Sequence, residues 1–555
     1  MIKENLNTMN KRLADTAMGR EPADLIFKNG VIADVFTGRF VPCDVAVKDG
    51  MICGLGHYDG ENIVDVSGKF VLPGLIDSHL HIESSMVTPP QYALAAVPHG
   101  VTTIIADPHE ITNVCGEAGL EFMKKSSAGL PLDIKYMLPS CVPAAPFEHS
   151  GAVLTAEDTK RLAGGFFGIG EMMNYPGVVS GDEETFAKLI GDKIDGHAPG
   201  LTGRRLDAYI SAGIKTDHEC GEVSEMLEKI GKGMYVAIRE GTLSKDLHRL
   251  IYGVNAYTYR RCTFCTDDRF IGEIIDEGTI DHMIRTAVRL GADPIMAISV
   301  GSYCAAQCYG LDRLGAIAVG YAADLIVIDD PHTFTVESVY KNGAKVAENG
   351  KALFEVPRSC DVSGVTGTVH LKKLSADFFS HERPEEFTAI ELIPHAITTR
   401  KAAARKGDEL SKVCVIERHK GTAQRGIGYV TNYGIKNGAV ATSVGHDSHN
   451  VAVIGDNDAD MAAAVNALGT SGGIAVVSGG KVLAQLELEI AGLMTDRGAE
   501  YVKDAHDKLE AAAKSLGITE SVDPFLSLAF LPLPVIPEIR ITDSGLFDVE
   551  SFKFI

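Results

Sequence analysis

Short apolar runs separated by polar turns fill the first 70 residues after a polar opening. Residues 1–20 read as a helical N-terminal arm. Residues 21–70 carry apolar runs broken by Asn29-Gly30, Thr37-Gly38 and Asp49-Gly50, which are hairpin signals and predict a small β unit. The same texture returns at 310–357, so the two pieces are expected to form one split β-sandwich. Between them, residues 71–309 alternate β-like runs with helical stretches such as EMLEKIGKG and EETFAKLIGDK. The runs are GLIDSHLH, VTTIIADPHE, DIKYMLPSCV, FFGIGEMMN, KIDGHAPG, GIKTDHEC, MYVAIREG and RCTFCTDD. Eight such units predict an α/β fold, a (β/α)8 TIM-like barrel inserted in the sandwich. Residues 358–555 predict a further α+β domain. It has helices at NDADMAAAVNALG and AEYVKDAHDKLEAAAKSLG, strands around a Gly-Gly turn, and an apolar, Pro-rich tail expected to pack against the body.

The polar residues that interrupt this pattern gather at strand ends. His79 and His81 close the first run, and positions two apart on a strand share a face, where two imidazoles can hold a divalent metal. For an isolated pair, two histidines satisfied by backbone is the competing reading. The later runs end in Asp107, His109 and Glu110; Glu171; His197; His218 and Glu219; and Asp267 and Asp268. In a barrel these ends converge on one mouth. Four histidines and two carboxylates there make a two-metal site.

Composition narrows the partners. The 555-residue chain has a formal net charge of −22, which argues against nucleic acid or an anionic membrane. The opening is polar and charged, and no apolar run approaches a membrane span. Eleven scattered cysteines suit reduced thiols. A cytoplasmic protein acting on a small molecule is expected, with surface enough for a homo-oligomer.

The motifs PGLIDSHLHIESSM, ADPHEITNVCG, GEMMN, DGHAPG, TDHE, CTDDR and SVGHDSHN, in this order, resemble those of the adenine deaminase family within the amidohydrolase superfamily. The resemblance runs from about residue 20 to the C-terminus. It implies hydrolysis of adenine to hypoxanthine and ammonia in purine salvage, with two divalent ions per chain, Mn²⁺ or Fe²⁺ foremost and Zn²⁺ also suited. It implies His79 and His81 on the first metal, Glu171 as the bridging carboxylate, His197 and His218 on the second metal, and Asp267 touching metal and hydroxide. Many relatives bridge with a carboxylated lysine, and GIGEMMN contains none.

Such chemistry needs a metal-bridged hydroxide to attack C6, a base and an acid for ring N1. The catalytic set is Asp267, Glu219 and His218. Asp267 is the candidate base, and Glu219 the favoured N1 donor, with Glu110 and Asp268 behind it. Related deaminases place a glutamate shortly after the strand-five histidine, where this chain has Gly200. Glu83 and Ser84 either line the base pocket or belong to a helix cap. His109 and Glu110 contact substrate or support the metals. Arg239 meets the purine or pairs with an acid. His446, Asp447 and His449 form a loop that closes over the mouth, binds a further ion, or is solvated. Cys262 and Cys265 imitate a zinc-deaminase pattern but lack its proline and fall on opposite strand faces. The competing functions are a cyclic-amide hydrolase of dihydroorotase or hydantoinase type, a deaminase of another 6-substituted purine, and a barrel that has lost its metals.

Overall fold

A computed structural model describes residues 2–356, 360–394 and 396–555. The domain boundary expected between 357 and 358 lies outside the described residues. All eight runs are strands: Leu75–Leu80, Val101–Ala106, Asp133–Leu138, Gly168–Met172, Ile194–Gly196, Thr216–Asp217, Tyr235–Arg239 and Cys262–Cys265. The first five pair side by side in chain order, all parallel, and the last three form a second parallel group.

Backbone contacts join the two groups into a ring. Asp267 N–H donates to the His79 carbonyl at 3.0 Å, and His81 N–H to the Asp267 carbonyl at 3.3 Å, so strand eight meets strand one. On the other side Lys215 N–H donates to the Ile194 carbonyl at 3.2 Å. A Cβ at Gly196 would lie 2.2 Å from the Thr216 carbonyl oxygen, so only glycine allows strands five and six to approach this closely. Strands one, two and eight are buried along their whole length, as expected of parallel strands covered on both faces.

The strand Phe70–Pro73 runs directly into barrel strand one. It pairs antiparallel with Leu325–Ile328, which follows the barrel in sequence, and parallel with Val31–Asp34. A second sheet of Met51–Leu55, Val45–Lys48, Ala23–Lys28 and Gly60–Asp65 packs on this one. Phe27 meets Tyr340 edge-on between the sheets, ring centroids 4.7 Å apart. Entry and exit of the barrel are thus tied together by one sandwich.

Residues beyond 360 build an eight-stranded sheet with Ser411–Ile416 and Val451–Gly455 at its centre. Its alternating side chains serve two cores. Cys414 and Ile416 pack against the helix Asp458–Ala467, while Val413 and Val415 belong to the core shared with the helix Ala499–Ser515 and the barrel. Thr88 and Thr495 exchange backbone contacts across the junction: Thr88 N–H reaches the Thr495 carbonyl at 3.2 Å, and Thr495 N–H the Met86 carbonyl at 3.0 Å. The apolar tail is buried at Leu528, Phe530, Leu531 and Leu533. Buried Arg540 donates to the carbonyls of Phe530, Ile536, Ile397 and Pro537, which holds the tail against the sheet. Among the described residues no helix is long and apolar enough to cross a membrane.

Candidate active site

The six expected ligands meet at one buried cluster. Glu171, at the end of strand four, divides it. Its Oε1 lies 3.3 Å from His81 Nε2 and 3.8 Å from His79 Nε2. Its Oε2 lies 2.8 Å from His197 Nδ1 and 3.3 Å from His218 Nε2. Asp267 Oδ1 joins the first group, 3.1 Å from His81 Nε2 and 3.8 Å from His79 Nε2. His79 also stacks on His218, centroids 4.0 Å apart.

Each ligand is aimed by something behind it. His81 Nδ1 is 2.8 Å from the Asp107 carbonyl; it must donate there, which leaves Nε2 facing the cluster. Asp107 also accepts from Glu171 N–H at 2.9 Å, an approach possible only because a Cβ at Gly170 would fall 2.1 Å from the same oxygen. Asp267 sits at φ +54°, a left-handed turn that Asp tolerates and that swings its carboxylate inward after strand eight. Arg239 Nη1 holds Asp267 Oδ2 at 2.8 Å. Lys229, fully buried, donates to Asp217 at 2.9 Å and to the Ala198 carbonyl at 2.7 Å, fastening the residues beside His218 and His197. Against the cost of burial, Lys229 draws the Asp217 carboxyl down to about 2. Burial pushes Asp77 and Asp195, below the cluster, up to about 7.

The donor set fits two divalent ions. His79 Nε2 is buried with no hydrogen-bond partner among the described residues, although it faces two carboxylates. Groups of three donors within 4.8 Å of one another lie on both sides of Glu171: His79, His81 and Asp267 on one, and His79, Glu171 and His218 across it. An unpaired buried imidazole beside carboxylates is costly unless a cation completes it. The donors are N and O only, which suits Mn, Fe and Zn alike.

Of the remaining expected residues, His449 borders neither the cleft nor the cavity beside it, and the others divide in two. His109, Glu110, Glu219, Arg239, Asp268 and His446 border the cleft in front of the cluster. Glu83 and Ser84 border a neighbouring cavity of about 280 Å³ that shares Asp268 and His446 with the cleft. Ser84 Oγ donates to Asp268 and makes no helix cap. Both oxygens of Glu219 accept hydrogen bonds from Arg239. Arg239 in turn is spent on acids, Glu219, Asp246 and Asp267, and orients Asp267 rather than meeting a base. Glu110 is likewise engaged: His446 Nδ1 is 2.6 Å from one oxygen, and His449 Nε2 contacts the other. The loop carrying these histidines is fully buried, so the solvated-loop reading fails.

Lys229 and the apolar wall of Ile397, Phe530, Leu533 and Ile536 were not singled out from the sequence. Lys229 sits in an ordinary amphipathic helix, and the wall lies more than 100 residues from any barrel motif. Neither leaves a local signal.

Comparison with known proteins agrees with this architecture. Residues 70–346 match the amidohydrolase family, and residues 387–553 the adenine deaminase C-terminal domain. The chain is 45% identical to adenine deaminase of Clostridium acetobutylicum, covering 98% of this chain and 99% of that one. It is 42% identical to adenine deaminase of Bacillus velezensis, covering 99% of both. A solved D-hydantoinase overlays 60% of this chain and 97% of its own at 16% identity and a TM-score of 0.45. The chain belongs to the adenine deaminase family.

Proposed function

We propose that the protein hydrolyses adenine to hypoxanthine and ammonia at the Glu171-centred cluster. The observation that carries this is the division of Glu171, one carboxylate oxygen toward His79, His81 and Asp267 and the other toward His197 and His218. With the family established, that division gives the cluster two sides, each with its own set of donors. His79, His81, Glu171, His197, His218 and Asp267 hold two divalent ions, Mn²⁺ or Fe²⁺ foremost. Divalent ions held there would supply hydroxide at neutral pH by lowering the pKa of water to about 7.

The chain's own residues supply the proton traffic. Arg239 fixes Oδ2 of Asp267 and leaves Oδ1 toward the cluster, where it takes a proton from the attacking water and passes it to the departing amine. Of the three acids considered for ring N1, Asp268 is the one whose carboxylate has a single side-chain partner, Ser84. Asp268 therefore replaces Glu219 in that role. The apolar wall excludes water from the base. Purine salvage in the cytoplasm, a homo-oligomer, and the division into arm, split sandwich, barrel and C-terminal domain belong to the same reading.

The test is the absorbance of adenine with metal-stripped protein before and after adding Mn²⁺. Metal-dependent conversion to hypoxanthine is expected. No conversion with Mn²⁺, Fe²⁺ or Zn²⁺, in a protein that still binds two ions, would overturn the substrate.

A further inference from the structure

The gathering of ring nitrogens and carboxylates does not end at the six expected ligands. His109 opens the helix His109–Cys115 that follows strand two. It turns Nδ1 toward the cluster, 3.5 Å from Glu171 Oε1, and Nε2 the other way. On that far side Nε2 lies 3.4 Å from Glu110 Oε1 and 3.9 Å from Asp447 Oδ2. His109, Glu110 and Asp447 each offer one donor atom, and the three atoms lie within 4.8 Å of one another. All three residues are buried.

A second observation shows that this group is built for a ligand. Asp447 is 2% exposed, and its Oδ2 has no hydrogen-bond partner among the described residues. Its other oxygen gains little, since His446 Nδ1 stands 3.8 Å from Oδ1 and is 2.6 Å from Glu110 Oε1 instead. A buried carboxylate short of donors costs stability, so a positive partner belongs beside it. Space decides which kind. The cleft that His109, Glu110 and Asp447 border holds about 40 Å³, and one water takes about 30 Å³, so a metal ion fits and an organic cation does not. The donor atoms suit it. His109 Nδ1 faces acids, Glu171 Oε1 at 3.5 Å and Asp107 Oδ1 at 3.8 Å, which places the ring proton there and leaves the Nε2 lone pair for a metal. Glu110 Oε1 meets His446 with one lone pair and keeps another.

We propose that His109 Nε2, Glu110 Oε1 and Asp447 Oδ2 form a third divalent-cation site, separate from the pair around Glu171. One imidazole and two carboxylates suit Mn²⁺, Fe²⁺ or Zn²⁺. Two of the ligands come from the barrel and one from the C-terminal domain, so the ion ties the two together across the cleft. It binds more weakly than the pair, because the two ions already present repel a third charge nearby. It is therefore the first to leave on desalting. The site stands independently of the adenine reading.

The experiment is a Mn²⁺ titration of metal-stripped full-length protein, with free Mn²⁺ read by electron paramagnetic resonance. Two tight ions and a third, weaker one per chain are expected. Asp447→Asn, which keeps the shape and removes the charge, should weaken the third by roughly 10-fold or more and leave the first two in place. Asp447→Cys should turn the third site toward Cd²⁺, a softer ion, and show new thiolate absorption over wild type when Cd²⁺ is added. A carboxylate with a structural role alone would give no such signal. Wild type that saturates at two ions in excess Mn²⁺ would overturn the proposal, as would a third ion held equally by wild type and Asp447→Asn. Loss of the tight pair together with the third ion in Asp447→Asn would also overturn it, making Asp447 a support of the pair. Protein that binds the Asp447-dependent ion but does not convert adenine keeps this proposal and removes the substrate reading alone.

Discussion

The barrel half of the site and the C-terminal half are held by opposite means. The barrel half keeps ring nitrogens without partners: His79 Nε2 and His109 Nδ1 are buried and unpartnered, and the imidazoles of His79 and His81 stand 3.1–3.8 Å from the oxygens they face. The C-terminal half is saturated. Glu110 is clamped by His446 and His449, His446 stacks on Phe530 with centroids 4.3 Å apart, and buried Arg418 contacts the His449 carbonyl. Unfilled donors mark where a ligand belongs, and filled ones mark structure. Asp447 stands out because it is an unfilled acceptor in the filled half.

The largest break in this contrast is at Glu171. Glu171→Ala removes the carboxylate whose two oxygens face the two groups of donors, and bound metal is expected to fall below two per chain by elemental analysis. Turnover should fall well beyond the roughly 10- to 100-fold that loss of an outer partner causes. Two ions retained in that variant would mean the site does not divide at Glu171.

Next comes the support beneath the barrel half. Lys229→Met leaves Asp217 buried without its cation, and breaking a buried pair this way costs about 3–5 kcal/mol. Denaturant unfolding should show it. Lys229→Met with Asp217→Asn should recover part of the loss, because the buried charge of Asp217 is then removed with its partner, while Glu225, the second partner of Lys229, still loses its cation. If the single variant unfolds like wild type, the pair is not what fastens His197 and His218.

The same contrast explains what could be read from the sequence. The expected barrel ligands sit at or just beyond strand ends, so His79 and His81, His197, His218 and Asp267 are visible as polar breaks in apolar runs. The eight strands were legible for the same reason, down to the two-residue strand Thr216–Asp217. The role of Glu219 was not legible. Its neighbours in sequence give no hint that Arg239, 20 residues on, occupies both its oxygens. Nor does SVGHDSHN announce its partner, since Glu110 and His449 are 339 residues apart and only the packed domains bring them together. The expected ligands follow local periodicity; the partners that hold the acids around them follow tertiary packing.

The smallest effect is also the finest probe, and it lies in the clamp on Glu110. The two histidines differ in charge. Gly445 N–H donates to His449 Nδ1 at 3.2 Å, so His449 is neutral with its proton on Nε2, and burial lowers its pKa to about 4. His446 is the charged partner: against burial, Glu110 raises it to about 9. A depressed histidine means that the unfolded chain binds more protons between pH 6.5 and 4, so stability falls as pH drops through that window. A raised one gives stability that is complete below pH 6.5 and lost as pH climbs toward 9. The clamp should therefore be strongest near pH 6.5, each limb worth on the order of 2–3 kcal/mol. Thermal unfolding of His449→Gln should flatten the acid limb and leave the alkaline one, and His446→Gln should do the reverse. If both variants flatten the same limb, the two histidines share one proton, and the clamp is a single coupled unit rather than one charged and one neutral bond.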